Sequence, residues 1–341
     1  MELSVVMPSN RTGLSAYARI LDACACADEN IEVVVRDNSG SQEKSEFLSR
    51  IVRENCNIVV ADPCNAIENS QAALSLAQGD FAIFAGDDDV LAQASLRLVA
   101  DLTAQFRTDL SVAGITGEYI VKGSAKTRLF HYPPLDSASA SQRVANYLEG
   151  LAPNLIVYSA IRSQLVTRIT SFCRTLPFCF SFLDQLVAMM YLASGKFVSI
   201  DRLLYQYDTS NWDTCERAIQ SDLRYYYDCG LDGSVLRLHW LICGLEGAKI
   251  VLGKYPGIDL SPDERQAVAL RWFSTNYQRF VLGGMCRSDP SSRFDRHAIA
   301  LCQKWKQISA ISLDQLLMDL VGLFALSNLE GACKYFDFWN G

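Results

Sequence analysis

From residue 1 to about 106, short apolar runs rich in β-branched residues alternate with stretches whose apolar positions recur at i, i+3, i+4 and i+7, and polar turns separate the two. The alternation predicts βαβ units, with paired strands and helices covering the faces of the sheet. A first strand spans Leu3–Met7 and stops at Pro8; past the polar turn 8–13, a helix presents Leu14, Tyr17, Ala18 and Leu21 along one face. A second strand, Ile31–Arg36, is β-branched at almost every step, which fits an interior place in the sheet. It ends in Asp37-Asn38-Ser39-Gly40-Ser41, and the next helix carries Phe47, Leu48, Ile51 and Val52. A third strand covers Asn57–Val60. The helix opening at Cys64-Asn65-Ala66-Ile67-Glu68-Asn69 is expected to run to Gln78 with Gly79 as its C-cap. A fourth strand, Phe81–Ala85, then runs into Gly86 and three consecutive aspartates, Asp87, Asp88 and Asp89.

Further along, the pattern predicts a helix over Ser95–Phe106 and strands near Ser111–Ile115 and Glu118–Val121. Residues 122–142 are polar, hold Pro133-Pro134, and read as a loop or lid; His131 within it reads as a surface residue. A strand over Asn154–Tyr158, a helix around Gln164–Ile169 and an apolar helix from Phe180-Ser181-Phe182-Leu183-Asp184-Gln185 to Ser194, capped by Gly195, come next. Strands at Phe197–Ile200 and Leu203–Tyr207 close the series. From about 213 onward the period is helical throughout, near 215–228, 234–252, 261–284, 295–308 and 312–327, and two of these segments open on capping boxes, Ser261 with Glu264 and Ser312 with Gln315. The fold class is therefore α/β, a Rossmann-like mixed sheet flanked by helices over 1–212, with an all-helical subdomain over 213–341. The aromatic runs Tyr225-Tyr226-Tyr227 and Tyr335–Trp339 read as packing within that subdomain.

Composition narrows the function. Half of the 341 residues are apolar, enough for a sizeable core, and a net charge of −7 without a basic stripe argues against a nucleic-acid partner. The 12 cysteines show no paired CxxC spacing and only 3 histidines accompany them, so they read as reduced, buried small hydrophobes of a cytoplasmic protein. No signal-peptide pattern opens the chain, and the apolar stretch Leu316–Leu326 contains Asp319 and is too short to span a bilayer, so no transmembrane segment is expected, although a peripheral place at the inner face of a membrane is compatible.

Three adjacent carboxylates at a strand's end repel one another unless a divalent metal, a nearby base or open water neutralises them, and oxygen ligands of this kind suit Mg²⁺ and Mn²⁺. In an open α/β sheet ligands bind beyond the carboxyl ends of the strands, so the turns at 8–13, 37–41 and 86–89 should converge on one crevice. Asp37 is placed to accept a hydrogen bond from a nucleobase or ribose. No GxGxxG and no GxxxxGK[ST] occurs in the first hundred residues, which leaves a metal as the substitute for a glycine-rich phosphate cradle.

These residues carry a resemblance. A strand followed by Pro8 and Arg11, a strand followed by Asp37-Asn38-Ser39, an Asn-rich helix start with Asn65 and Asn69, and Gly79-Asp80-Phe81-Ala82-Ile83-Phe84-Ala85-Gly86-Asp87-Asp88-Asp89 resemble, in order and spacing, the nucleotide-binding half of bacterial family 2 glycosyltransferases of the GT-A fold. The resemblance implies a metal-dependent, inverting transfer of a sugar from a nucleotide-diphosphate donor, UDP-linked, to a hydroxyl acceptor such as a glycan or lipid-linked saccharide, with surface polysaccharide synthesis as the family's commonest setting. It divides 1–212 into a nucleotide-binding half, 1–106, and an acceptor-binding half, 107–212. Pro8, Ser9, Asn10, Arg11, Asp37, Asn38, Asn65, Asn69, Asp87 and Asp88 would contact the donor, and Asp87, Asp88 and Asp89 are the candidates to hold Mn²⁺ or Mg²⁺. Gly86 breaks the register of the family's DxD motif: laid down without a gap the metal falls on Asp88, and slid by one it falls on Asp87 and Asp89. In the family an acidic pair opens the apolar helix and supplies the base; here Leu183 stands in place of one, so Asp184 alone would be the catalytic base. Trp212 lies where such enzymes order a loop over the donor. A sugar nucleotidyltransferase, and a nucleotide-sugar-binding or scaffolding protein without activity, are the alternatives, and a homo-oligomer is compatible with the chain.

Overall fold

The structure, a computed structural model, describes residues 1–340 apart from 124–125, 151–153, 210–213, 284–292 and 308–311, and apart from the side chains of 66, 67 and 293. In chain order its elements are β1 (Leu3–Ser9), α1 (Leu14–Cys24), β2 (Ile31–Asp37), α2 (Gln42–Ser49), β3 (Cys56–Val60), α3 (Ala66–Leu74), β4 (Phe81–Phe84), β5 (Val90–Leu91), α4 (Gln93–Phe106), β6 (Val112–Lys122) and β7 (Thr127–Phe130). There follow α5 (Ala140–Glu149), β8 (Ala160–Arg162), α6 (Ser163–Cys173), α7 (Leu183–Ser194), β9 (Lys196–Asp208) and α8 (Cys215–Asp228). The chain closes with α9 (His239–Lys249), α10 (Pro262–Leu282), α11 (Arg293–Lys306), α12 (Leu313–Phe324) and α13 (Leu329–Asn340). Trp212, expected near a donor-covering loop, lies outside the described residues.

One mixed sheet runs β3-β2-β1-β4-β8-β6-β9-β5, with β7 added to β6. The first four strands pair in parallel, β8 is antiparallel to both of its neighbours, and β6 and β9 are parallel over their whole length. Val5, Val33, Val35, Ile83, Leu96, Val99 and Ile115 are buried at 0–1% exposure in one core cluster, as β-branched strands covered on both faces require. The parallel register brings Ser9 level with Asp37 and continues to Val60, so these strands end together.

Several local expectations change. The buried face of α1 is Ala16, Tyr17, Ile20, Ala23 and Cys24, while Leu14 is 83% exposed; both stripes satisfy the helical period, and the one that wins stacks Tyr17 on Phe47 at 4.6 Å. Ile51 and Val52 fall past the end of α2, and α3 stops at Leu74. Gly79 is therefore not a helix cap: its N–H donates to Ser4 Oγ (2.8 Å) and Glu32 Oε1 (3.0 Å), pinning the turn into β4. The expected strand 154–158 is a 3-10 turn over Ile156–Tyr158, because Tyr132 Oη accepts from the N–H groups of both Leu155 and Ile156 and takes the place of a strand partner; the strand lies at Ala160–Arg162. The paired strands expected at 111–121 and at 197–207 are two continuous strands, whose supposed breaks are register shifts between Thr116 and Tyr119. Residues 127–130 of the expected loop form β7, and His131 beyond it is exposed.

The chain divides into two compact units: 1–138, 149–174 and 194–211 form one, and 139–148, 175–193 and 212–341 the other. Besides the residues that follow the boundary drawn near 212 on sequence, the helical unit thus takes in most of α5 and α7. Helix α7 is buried on nearly every side from Leu186 to Ala193, and buried Arg143 of α5 donates to the carbonyls of Leu192 and Ala193 that its last turn leaves open. Phe178 and Phe180, just before it, pack with Tyr226, Phe324 and Tyr335. The closing aromatic run forms α13, with Tyr335 and Trp339 buried. The capping box at Ser261 and Glu264 is complete, whereas Ser312 makes only the bond from Gln315 N. Among the described residues no helix is long and apolar enough to cross a membrane, and the 11 described cysteines are free thiols.

Glu246 of α9 is 2% exposed and accepts a 2.8 Å bond from Tyr335 Oη. Burial lifts its carboxyl from the ordinary 4.5 to about 8, with the tyrosine bond opposing. Between those values the folded chain keeps a proton that the unfolded chain has released, so stability falls as pH rises across that window. Glu246→Gln should flatten that fall, which urea midpoints measured at both ends of the window for each protein would register; an unchanged slope would remove Glu246 as its source.

Candidate functional site

The β1, β2 and β4 ends carry the polar turns, and the structure brings these turns together. Gly40, at φ 69°, takes a conformation that suits glycine and turns the chain from β2 into α2, whose N-cap Ser41 accepts from Lys44 N. The turn sets Lys44 under the sheet edge. Its ammonium, 0% exposed, donates to Asp37 Oδ1 (2.7 Å), Ser9 Oγ (2.6 Å) and Arg11 O (2.7 Å), which uses all three of its protons. Ser9 Oγ in turn donates to Asp87 Oδ2 at 2.6 Å, so one buried chain of contacts ties β2, β1 and the β4 end.

Asp87 is the most heavily bonded of the three aspartates. Its Oδ2 also accepts from Asn10 N (3.1 Å) and Arg11 N (3.0 Å), and its Oδ1 faces Arg11 Nε at 3.2 Å. Asp89 is likewise enclosed, with Oδ2 accepting from Tyr205 Oη (2.8 Å) and Oδ1 from Asp208 N (2.9 Å). Burial raises the Asp89 carboxyl to about 6, the Asp88 and Asp208 charges add to the rise, and the two hydrogen bonds oppose it. Asp88 lies between them with its side chain 30% exposed, paired to Arg11 Nη2 at 2.5 Å. Burial raises its carboxyl, Arg11 opposes, and the Asp87 and Asp208 charges add. Arg11 is thus the base paired with two of the three aspartates, itself 48% exposed at the rim.

At Gly86, where the DxD pattern would have its first aspartate, a side chain would press on the carboxylates that follow. A Cβ there would sit 2.6 Å from Asp89 Oδ2 and 2.9 Å from Asp88 Oδ1, while Gly86 N donates to Tyr205 Oη at 2.9 Å. The carboxylates fold back over the glycine, so a side chain at this position would require them to move.

The remaining expected residues divide into a buried shell and an exposed rim. Asp37, fully buried, gives its oxygens to Lys44 and to Ser39 Oγ (2.9 Å), so its carboxylate is an internal anchor in this structure and not a surface open to a base. Asn38 donates to Cys64 O (2.8 Å), and Asn69 donates to Asn38 Oδ1 (2.9 Å) and accepts from Arg36 Nη1. A cavity of 440 Å³, lined in part by Arg36, Cys64, Glu68 and Arg174, opens beside this network. Asn65 is exposed and caps α3 in a full capping box with Glu68. Pro8 is half-buried, Asn10 exposed. Asp184 lies in the helical unit, exposed in the first turn of α7, where a carboxylate also suits the helix dipole.

Sequence reasoning missed Lys44, Tyr205 and Asp208. A lysine among Gln42, Glu43 and Glu46 reads as solvated surface, and the last two come from β9, more than a hundred residues after the aspartates they meet. Among the described residues no group of three or more His, Cys, Asp or Glu side chains is arranged to hold a metal ion by itself.

No family model matches the chain, and no curated protein sequence does. The fold does match solved structures. Residues 1–349 of TarS from S. aureus, crystallised with UDP-GlcNAc, align with a TM-score of 0.54 over 99% of this chain and 89% of that one, at 14% identity. Longer TarS aligns at 0.52 and 13% identity, and this chain spans 54% of its length. The architecture, a mixed sheet flanked by helices with a helical C-terminal region, is accordingly shared with these structures.

Removing one partner of a buried ion pair leaves the other charge uncompensated, at a cost of about 3–5 kcal/mol. Lys44→Met should lower the unfolding free energy on that scale in urea titrations. Adding Asp37→Asn should recover part of the loss, since the stranded charge is then gone; no recovery would show that Asp37 is not the group the ammonium neutralises.

Proposed function

We propose that the chain is a nucleotide-diphosphate-sugar glycosyltransferase acting on a hydroxyl acceptor. The observation that supports this best is the crevice: three strand-end turns locked together at the carboxyl edge of a sheet whose fold is shared with TarS, a protein crystallised with UDP-GlcNAc and with UDP. UDP-linked donors follow from that likeness and from the family resemblance. The buried set, Ser9, Asp37, Asn38, Asn69, Asp87 and Asp89, forms the frame, and the exposed or half-buried set, Pro8, Asn10, Arg11, Asn65 and Asp88, supplies the donor contacts. Arg11 is suited to a diphosphate, because its fork already grips two carboxylates.

The donor set fits a divalent ion through Asp88. The oxygens of Asp87 and Asp89 are held by protein donors, whereas Asp88 is partly exposed with one side-chain partner, and Asp208 adds charge beside it. Mg²⁺ commonly binds through one or two carboxylates plus substrate phosphates, and Mn²⁺ suits the same oxygens. The ungapped register, with the metal on Asp88, is thus the one proposed. Such an ion would offset charge that builds on the departing diphosphate. Asp184 is assigned as the base that takes the acceptor hydroxyl's proton, in an inverting transfer, on the resemblance alone. A second reading is supported by Arg11: its two contacts with the triplet already supply positive charge there, and donor binding would then need no metal.

Titration calorimetry with UDP, with and without Mn²⁺, tests the first reading. Binding strengthened by Mn²⁺ and lowered more than about tenfold by Asp88→Asn only when the ion is present is the expected result. Equal affinity in both conditions would leave Arg11 as the cation, and no UDP binding in either would overturn the transferase reading. Asp184→Asn should keep UDP affinity and lose turnover by about 10²–10⁴-fold, the scale of general base catalysis; undiminished transfer would remove Asp184 from the mechanism.

A further inference from the structure

Within the helical unit a cavity of 160 Å³ is walled by Asp222 of α8, Arg237, His239 and Trp240 at the start of α9, Arg279 of α10 and Lys306 of α11. At about 30 Å³ per water it holds roughly five waters, space for one phosphoryl or carboxylate group with a few carbons attached. Its charges are not equivalent. Arg237 is neutralised by Asp295, Nη2 to Oδ1 at 3.0 Å. His239 is kept uncharged at neutral pH by burial, which lowers it to about 4. Arg279 and Lys306 make no ion pair among the described residues: the Arg279 guanidinium lies 5.0 Å over the Trp240 ring and donates to Gln185 Oε1 at 3.4 Å, and the Lys306 ammonium lies 5.6 Å over Phe280. Among the described residues the cavity therefore holds two cations without an ion-pair partner, beside an indole face and the Asp222 carboxylate.

Its position also has a direction. Gln185, which accepts from Arg279 Nη1 at 3.4 Å, follows Asp184 in the first turn of α7. The cavity is fastened to the segment that carries the assigned base. We propose that it binds the anionic group of the hydroxyl acceptor, a phosphorylated or carboxylated polyol or sugar, with Arg279 and Lys306 on the anion, Trp240 against its carbon face and Asp222 on a hydroxyl. The word acceptor rests on the transferase reading; the anion site itself does not. Guanidinium and ammonium groups that lack a carboxylate favour phosphate and carboxylate alike, so the ligand class is set by charge plus hydroxyls and not by charge alone.

Calorimetry on the full chain, with UDP saturating so that the nucleotide crevice is filled, would use glycerol 3-phosphate, glucuronate and uncharged glycerol as probes. Binding of glycerol 3-phosphate or glucuronate, whichever anion the site prefers, without binding of glycerol is the expected result, and Arg279→Gln and Lys306→Gln should each weaken it about tenfold or more. Arg279→Lys, which keeps the charge, should retain binding and serves where Arg279→Gln does not fold by circular dichroism. The proposal is overturned if neither anion binds, if glycerol binds equally well, or if the affinity survives both Gln substitutions. A wild-type chain that binds the anions but never UDP would overturn the transferase reading while leaving this site in place.

Discussion

The crevice depends on one buried ammonium. Lys44 Nζ has no access to water, so each of its protons must find an acceptor inside the protein, and it finds them on three segments that the chain delivers separately: Asp37 at the end of β2, Ser9 at the end of β1 and the Arg11 carbonyl in the turn beyond. A charge held this way fixes geometry more than it adds stability, because desolvation offsets much of the attraction. Its consequence is register. With Ser9 oriented by Lys44, the serine hydroxyl has one remaining direction for its own proton, and that direction is Asp87.

The same logic governs the acidic triplet. Three neighbouring carboxylates in a partly buried turn would raise one another's pKa values and loosen the edge, yet each is handled differently. Asp87 is absorbed by backbone N–H groups and Ser9, Asp89 by Tyr205 and the Asp208 N–H, and Asp88 is left to the flexible, exposed Arg11. The two interior carboxylates thus build the wall, and the middle one stays available to solution. Gly86 belongs to this arrangement, since a side chain there would have to displace the folded-back carboxylates.

The helical unit follows a different rule. Its interior is aromatic, with Phe178, Phe180, Tyr226, Phe324 and Tyr335 in mutual contact, and some of the polar atoms it buries find long-range partners, as Tyr335 does in Glu246 and Trp272 Nε1 in the Cys243 carbonyl. Charges collect instead around the start of α9, where Arg237 pairs with Asp295 and, among the described residues, Arg279 and Lys306 have no ion-pair partner.

Much of this was legible from the chain itself. The period-two and period-3.6 patterns place β1 to β4 and the helices between them within a few residues, because β-branched runs buried on both faces and amphipathic helices have distinct spacings. They also bring 8–13, 37–41 and 86–89 to one edge, since parallel strands share a direction. Which stripe of α1 faces inward, and whether Asn154–Tyr158 extends or turns, was not legible, since both alternatives satisfy the local pattern and a distant side chain, Phe47 or Tyr132, decides between them. The site divides in the same way. Sequence by itself determined that carboxylates, an arginine and asparagines line the edge of an α/β sheet. Only the tertiary structure decided which carboxylates are spent on the protein and which one is left, because hydrogen-bond donors such as Lys44 and Tyr205 reach them from elements that no spacing rule connects to the motif.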